Sequence, residues 1–159
     1  MKQKVINILD CMVREAEERS VGVKSYEQVS DNIFKLETEL SQFGHQTRLR
    51  YEATGDNEMF RIELTHTFGY LDVRIDPQHA AAQLLLMLEK NTGSFESTTA
   101  FIGVERKDKL YVTLNSFHHF VTAWNDKEIA KALTLHFFDL TMGFMVRDGS
   151  LTMLKIFGD

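Results

Sequence analysis

The sequence predicts one α+β domain with an antiparallel sheet and the element order α-α-β-β-β-α-β-β-α. Two kinds of pattern predict this class. In four stretches, apolar residues recur every three or four positions, which is typical of a helix that buries one face. In five others, apolar and polar residues alternate, which is typical of a strand with one buried face. The 159 residues, 43% of them hydrophobic and 26% charged, suit a single globular core.

Two helices are predicted first, at residues 2–19 and 26–44. The second is expected to end at Gly44, because a helix C-terminus favours a residue that tolerates positive φ. The apolar face of the first helix consists of Val5, Ile8, Leu9, Met12, Val13 and Ala16. The apolar face of the second consists of Tyr26, Val29, Ile33, Leu36, Leu40 and Phe43. We therefore expect the sheet to begin only after residue 44.

Three strands of an antiparallel meander are predicted next. Their alternating segments are residues 49–51, 60–64 and 71–75. The segments between them, residues 54–57 (Thr-Gly-Asp-Asn) and 66–69 (His-Thr-Phe-Gly), are short and contain turn-forming residues. Connections of this length favour antiparallel neighbours, with one face of the sheet in water.

A third helix and a strand pair follow. Asp76 and Pro77 predict a helix start, because aspartate accepts hydrogen bonds from first-turn amides and proline has no amide hydrogen to leave unpaired. This helix is expected to end near Gly93. Alternation then predicts strands at residues 98–105 and 110–116, joined by a hairpin turn at the intervening residues.

The last predicted element is a helix that runs to about Gly143. Asn125 and Glu128 resemble a capping box at its start. Trp124 and Ile129 are spaced for a hydrophobic staple around that box. The tail that follows is expected to be either a short hairpin or a frayed apolar end.

Charge and cysteine content exclude several classes of function. The net charge of −5 and the pI of about 5.7 disfavour binding to nucleic acids and to anionic membranes. Cys11 is the only cysteine, so no internal disulfide is expected and a reducing compartment is favoured. The longest apolar run, residues 84–88, is far too short to cross a bilayer. We therefore expect a cytoplasmic protein that binds neither nucleic acid nor membrane.

Histidines are the main candidates for an active site or a metal site. His118 and His119 are adjacent, and adjacent strand residues point to opposite faces, so they cannot easily share one ion. His136 has helical spacing with apolar residues and is expected to be a packed histidine. Cys11 lies on the apolar face of the first helix, where a thiol is normally inert. No nucleotide-binding or hydrolase motif is present, so we expect no catalytic residues, metal or cofactor.

The third predicted helix carries more apolar surface than one sheet requires. Residues 84–88 (Leu-Leu-Leu-Met-Leu) surround most of the helix, whereas a helix on one sheet needs only a stripe. The sequence leaves two interpretations open. Either this is a central core helix, or its second side lies in a subunit interface that contains Leu84, Leu85 and Leu88. Exposure of such a surface to water is unfavourable by about 25 cal/mol per Å².

Large residues on the nominally polar face of the sheet form a second candidate surface. Met59, Tyr70, Phe101 and Tyr111 have the parity opposite to the aliphatic residues of their strands. Such a row is suited to binding an extended or helical partner segment. Coverage by the N-terminal helix is the alternative.

Residues 84–143 have a distinctive order of predicted elements. A leucine-rich helix ending in Asn91 precedes strand segments 99–104 and 109–112, and a last helix is entered through Asn125 and Asp126. In this order, the last 115 or so residues resemble the YbjN family of bacterial proteins and the class I type III secretion chaperones, also called the Tir chaperone-like family. The resemblance divides the domain into an additional N-terminal helix and linker (1–24), a chaperone-like core (25–145) and a tail (146–159).

This resemblance implies a small, acidic, non-enzymatic homodimer whose leucine-rich helix contributes to the dimer contact. We therefore hypothesise a protein-binding module, chaperone-like or regulatory, that holds another polypeptide on apolar patches. One alternative is an immunity or antitoxin-like inhibitor whose acidic surface masks a basic partner protein. Another is an enzyme with an unfamiliar site around His118, His119 and His136.

Overall fold

Two helices cover one face of a six-stranded antiparallel sheet in the part of the chain that the computed structural model describes, residues 1–43, 45–72, 98–104 and 109–145. The helices are α1 (Lys2–Arg19) and α2 (Asp126–Met145). The strands are β1 (Val23–Ser30), β2 (Ile33–Thr38), β3 (Gln46–Ala53), β4 (Met59–Asp72), β5 (Thr98–Val104) and β6 (Lys109–Val121). A short 3-10 helix, Glu39–Phe43, links β2 to β3. The order across the sheet is β1-β2-β3-β4-β6-β5, so the predicted α+β class with an antiparallel sheet is confirmed.

The hydrophobic core lies between the sheet and both helices. α1 matches its predicted bounds and buries Val5, Ile8, Leu9 and Met12 completely. The core residues of α2 are Ile129, Ala130, Leu133 and Phe137. The core residues of the sheet are Phe34, Leu36, Leu49, Phe60, Ile62, Leu64 and Phe120, together with Val23 at the start of β1. α1 is therefore an integral part of the packed core.

The predicted second helix is wrong, because residues 26–43 contain a β-hairpin and the short 3-10 helix. β1 and β2 pair antiparallel, with Ser30 opposite Ile33 across a two-residue turn. Within β2, Phe34 and Leu36 are buried whereas Lys35 between them is exposed, which is the alternation of a strand. β1 lies at one edge of the described sheet and contains two register shifts.

The connection from α1 to β1 requires a glycine. Gly22 has a φ of +128°, a conformation that residues with a Cβ rarely adopt. Its amide donates a hydrogen bond of 2.9 Å to Glu39 Oε2. A Cβ at this position would lie 3.4 Å from the Cβ of Ala16 on α1. The conformation of Gly22 thus lets the chain turn sharply from the helix into the sheet.

The predicted turn at residues 66–69 is also wrong, since these residues continue β4. Phe68 pairs with Val112, whereas Leu71 pairs with Leu110, so β4 contains one extra residue between these pairs. This is the geometry of a β-bulge, and Gly69 lies inside it. A glycine that resembled a turn former marks an irregularity within one long strand. Residues 73–75 of the predicted third strand lie outside the described residues.

Several other predictions are confirmed. Residues 54–57 form the turn between β3 and β4, where the amide of Glu58 donates to Asp56 Oδ1 at 3.1 Å. β5 and β6 pair antiparallel. At the start of α2, the amide of Lys127 donates to Asn125 Oδ1 at 2.8 Å, as expected of an N-cap residue. Neither helix of the described residues is long and apolar enough to cross a membrane.

Three predictions lie outside the described residues. They are the helix from Asp76 to about Gly93, the hairpin turn at residues 106–108 and the conformation of the tail. Leu84, Leu85 and Leu88, the expected dimer contacts, belong to the first of these segments.

Candidate functional site

Three histidines come together where α2 packs on the sheet, and a fourth, His45, acts electrostatically on one of them. His66 is on β4, His118 is on β6, His136 is on α2, and His45 precedes β3. We call His45, His66, His118 and His136 the histidine cluster. The alternation of β4 places His66 on the same face as the core residue Leu64. The alternation of β6 places His118 on the same face as the core residue Phe120. The cluster therefore lies in the layer between the sheet and α2, next to the hydrophobic core.

Three rings of the cluster, those of His66, His118 and His136, are linked by contacts. His66 Nε2 and His136 Nε2 are 3.0 Å apart, and the centroids of these two rings are separated by 5.2 Å. The His118 ring also lies 5.2 Å from the His136 ring, at an interplanar angle of 76°. The ring of Phe137 packs edge-on against His66 and His136 at centroid distances of 5.6 and 5.7 Å. His136 is thus the ring that connects the two strands.

Hydroxyl groups supply further polar contacts to the cluster. Thr47 Oγ1 lies 3.4 Å from His66 Nδ1, and Ser116 Oγ lies 3.1 Å from His118 Nε2. Both hydroxyl residues are buried. Since a hydroxyl group can donate or accept, these contacts suit a neutral imidazole in either tautomer.

Burial disfavours the charged form of every ring in the cluster. It lowers the pKa of His66 to about 3, with further lowering by the nearby His118 and His45. Burial likewise lowers the pKa of His45 and of His118, each to about 4. The pKa of His136 lies well below its ordinary value, because of burial and of the neighbouring His66 and His118. At neutral pH the cluster therefore consists of uncharged imidazoles.

The close pair restricts the tautomers that the cluster can adopt. For His66 Nε2 and His136 Nε2 to form a hydrogen bond, one nitrogen must carry a hydrogen and the other must accept it. If both rings were doubly protonated, two N–H groups would face each other. Within the described residues, no group of three or more histidine, cysteine, aspartate or glutamate side chains is arranged to hold a metal ion. The hydrogen bond between His66 and His136 therefore requires that at least one of the two rings is neutral.

The structure brings together only part of the predicted histidine site. His118 and His136 are in contact, but His119 is exposed on the opposite face of β6, as the alternation predicts. The expectation that His136 is a packed histidine is confirmed. His45 and His66 were not among the predicted site residues. The signal for His66 was present, because Phe60, Ile62, Leu64 and His66 share one parity.

The predicted partner-binding residues fall at two separate places on the sheet. Phe101 on β5 pairs with Thr113 on β6, and Tyr111 pairs with Gly103, so the positions of Phe101 and Tyr111 are close together across these two strands. Tyr70 lies in the β-bulge beside the Tyr111 position. Met59 begins β4 at the other end, about 35 Å away at the usual rise per strand residue. Only Met59 belongs to a surface whose side chains the structure describes.

Met59 is part of an exposed apolar surface at that end of the sheet. It pairs with Val121, and the amide of Trp124 donates to the Val121 carbonyl at 3.0 Å. Met59, Val121 and Trp124 are 44%, 36% and 52% exposed. Met59 and Val121 share the outer face of the sheet, and we call these two residues the apolar patch, whereas the ring of Trp124 contacts Phe120, whose side chain points to the opposite, core face. The other exposed large hydrophobic residues of the described chain, Val29 and Leu135, lie on other elements.

Comparison with known proteins leaves the family open. No protein-family model matches the chain, and no curated protein does. Among solved structures, the chain is similar to YbjN, a proposed transcription regulator from E. coli, with 11% identity, a TM-score of 0.48, and coverage of 85% of this chain and 86% of that one. It is also similar to an uncharacterized protein from Methanothermobacter thermautotrophicus, with 6% identity, a TM-score of 0.43, and coverage of 95% and 99%. At these values, neither likeness assigns the chain to a family.

Proposed function

We propose that this chain is a non-enzymatic, cytoplasmic protein-binding module that acts as a homodimer and holds another polypeptide on apolar surface patches. The apolar patch is the observation that carries the proposal, because Met59 and Val121 are paired across β4 and β6 and both remain exposed on the outer face of the sheet. Clustered apolar residues of this kind are typical of protein-binding surfaces, whereas isolated ones need no explanation. The chaperone-like or regulatory character rests on the resemblance of the sequence pattern.

The end of the sheet that carries the apolar patch is held in place by the fold. The ring of Trp124, three residues after Val121, packs edge-on against the buried Phe120 at a centroid distance of 6.3 Å. The carbonyl of Trp124 accepts a hydrogen bond of 2.8 Å from Lys4 Nζ, which also lies 2.6 Å from Asp126 Oδ1. A surface that is already ordered loses little conformational entropy when a partner binds.

We expect the patch to bind apolar segments of non-native polypeptides. The Val121→Glu variant places a charge in the patch and should raise at least tenfold the concentration needed to suppress aggregation of reduced insulin chains, followed by light scattering. His119→Glu is the matched control, because His119 is exposed two residues earlier on the same face of β6. Equal activity of the two variants, or no suppression by the wild type, would contradict the proposal. Tight binding to a folded basic protein without suppression would favour the inhibitor alternative.

The dimer proposal rests on the leucine-rich segment at residues 84–88, which lies outside the described residues. We expect light scattering at micromolar concentration to give twice the chain mass of 18.4 kDa. Leu85→Asp should shift this mass to that of one chain while the far-ultraviolet circular dichroism spectrum stays unchanged, because a charge in an apolar interface is strongly unfavourable. A monomeric wild type, or a Leu85→Asp variant that unfolds instead of dissociating, would overturn the dimer proposal.

A further inference from the structure

The histidine cluster has an unusual composition for the layer between a helix and a sheet. Three of the six histidines of the chain lie there, and a fourth, His45, is buried nearby and acts electrostatically on His66. His66 and His136 belong to different elements, are 70 positions apart in the sequence, and approach each other through their Nε2 atoms. An apolar pair at these positions would stabilise the packing at every pH. The use of imidazoles makes the packing depend on the protonation state.

We propose that the histidine cluster is an acid-operated latch, which holds the middle of α2 on the sheet while its rings are neutral and releases it when they take up protons. His136 is the moving part, because it is the member on α2 and contacts the rings of both strands. This inference does not depend on the proposed protein-binding function.

Contact geometry supports the latch. A first proton on the His66–His136 pair places a charge in a buried layer beside Phe137. A second proton removes the acceptor of the hydrogen bond, so that two cationic rings face each other at a nitrogen separation of 3.0 Å. Repulsion extends to His118, whose ring is 5.2 Å from His136. Moving α2 away from the sheet relieves all three penalties.

Among the described residues, no carboxylate contributes to the pKa shifts of His66, His118 and His136, so none offsets the charge of a protonated ring. The electrostatic contributions come from the other histidines, with exposed His119 acting on His118. Lys131 on α2 is exposed. Glu39 of the 3-10 helix accepts a hydrogen bond from the Gly22 amide. The charged residues nearest to the cluster along the neighbouring strands have the opposite parity and are Arg48, Arg50, Arg61 and Glu63.

The direction of the pH dependence follows from the lowered pKa values. In the unfolded chain, the histidines have their ordinary pKa of 6.5, whereas His45, His66 and His118 have values of about 4, 3 and 4 in the folded state. Above pH 6.5 the stability is therefore fully present. As the pH falls below 6.5, the unfolded or released state takes up protons that the packed state does not. The equilibrium constant for opening then rises by up to about tenfold per pH unit for each such histidine, until the pH reaches the folded-state values.

The test is urea unfolding of the full chain at a series of pH values from 7.5 to 5.0. Between pH 6 and pH 5, the wild-type unfolding constant should rise at least 100-fold, which corresponds to the uptake of two or more protons. The His66→Gln, His136→Gln double variant keeps polar amides at the contact. Its unfolding constant should increase between pH 6 and pH 5 by a factor at least ten times smaller than that of the wild type. His119→Gln removes an exposed histidine and should leave the rise unchanged. A wild-type rise below threefold, or the same rise in the double variant, would overturn the proposal.

Two measurements keep the proposal testable if the double variant does not fold. In the wild type, ¹⁵N imidazole spectra should show all four rings neutral for as long as the fold is intact, and a cluster ring that titrates near pH 6.5 in the folded protein would contradict the latch. When the pH is lowered from 7.5 to 5.5, the protection of backbone amides from hydrogen exchange should fall more at residues 133–138 of α2 than at residues 5–12 of α1. Equal loss of protection in both helices would rule out release of α2.

Asp139 is three residues beyond His136 on α2. If Asp139→Asn changed the pH dependence of the unfolding constant, a carboxylate and not the histidine contacts would set that dependence, which would contradict the latch.

Discussion

Replacing Phe137 by alanine is expected to lower the free energy of unfolding by about 3–5 kcal/mol. Phe137 is only 2% exposed, and its ring edge packs against His66 and His136 at the centre of the contact between α2 and the sheet. Truncation removes this apolar area from the core and leaves a cavity that the rigid strands cannot fill. Urea unfolding at pH 7.5, where the histidines are neutral, measures the change.

Leu135→Ala is the matched control for Phe137→Ala. Leu135 lies on the same helix, two residues away, but its side chain is 53% exposed. Its truncation should change the free energy of unfolding by no more than about 0.5 kcal/mol, as is typical of surface positions. Similar losses in the two variants would show that α2 does not pack on the sheet through the face described here.

The second large effect is expected at the hairpin that replaces the predicted helix. Phe34→Ala should lower the free energy of unfolding by about 3–5 kcal/mol, whereas Val29→Ala should change it by no more than about 0.5 kcal/mol. Phe34 is 1% exposed and packs edge-on against Tyr26 at 5.9 Å and stacked on Tyr51 at 6.4 Å. Val29 is 51% exposed on β1.

This pair of variants distinguishes the hairpin from a helix. On a helix at residues 26–44, Val29 belongs to the apolar face and Phe34 does not, so the helix predicts the larger loss for Val29→Ala. Urea unfolding of both variants at one pH decides between the two structures. A larger loss for Val29→Ala than for Phe34→Ala would contradict the β1–β2 hairpin.

Local patterns predicted the elements whose residues follow one period without interruption. α1 agrees with its predicted bounds, because its six apolar positions keep helical spacing over the whole segment. Cap chemistry located the start of α2, since Asn125 accepts from the amide of Lys127. The alternation of β5 and β6 was equally clear. In α1 and at the start of α2, the local preference and the burial in the fold agree.

The hairpin was missed because its two strands imitate a helical period. The register shifts of β1 interrupt its alternation, so its apolar residues were assigned to a spacing that continued into β2. The alternation of Phe34, Leu36 and Thr38 with Lys35 and Glu37 was a signal for a strand. Short segments of this kind fit both periods, and only pairing with β3 decides between them.

The histidine cluster could not be derived from local patterns. The approach of His66 to His118 depends on the register of β4 and β6, in which His66 is opposite Leu114 and His118 is opposite Ile62. Spacing along the chain does not determine this register. The position of His136 above both strands depends in turn on how α2 crosses the sheet. What the sequence shows is only that His66 continues the apolar parity of β4.

The ion pair between Lys4 and Asp126 joins residues 122 positions apart, and it marks the contact between α1 and α2. During synthesis, α1 leaves the ribosome long before α2 exists, so the contact between these two helices cannot form until residue 126 and beyond have been translated. Long-range contacts of this kind slow folding and lengthen the time during which apolar surface is open to aggregation. Nascent chains of this protein should therefore depend on general chaperones until translation has passed α2.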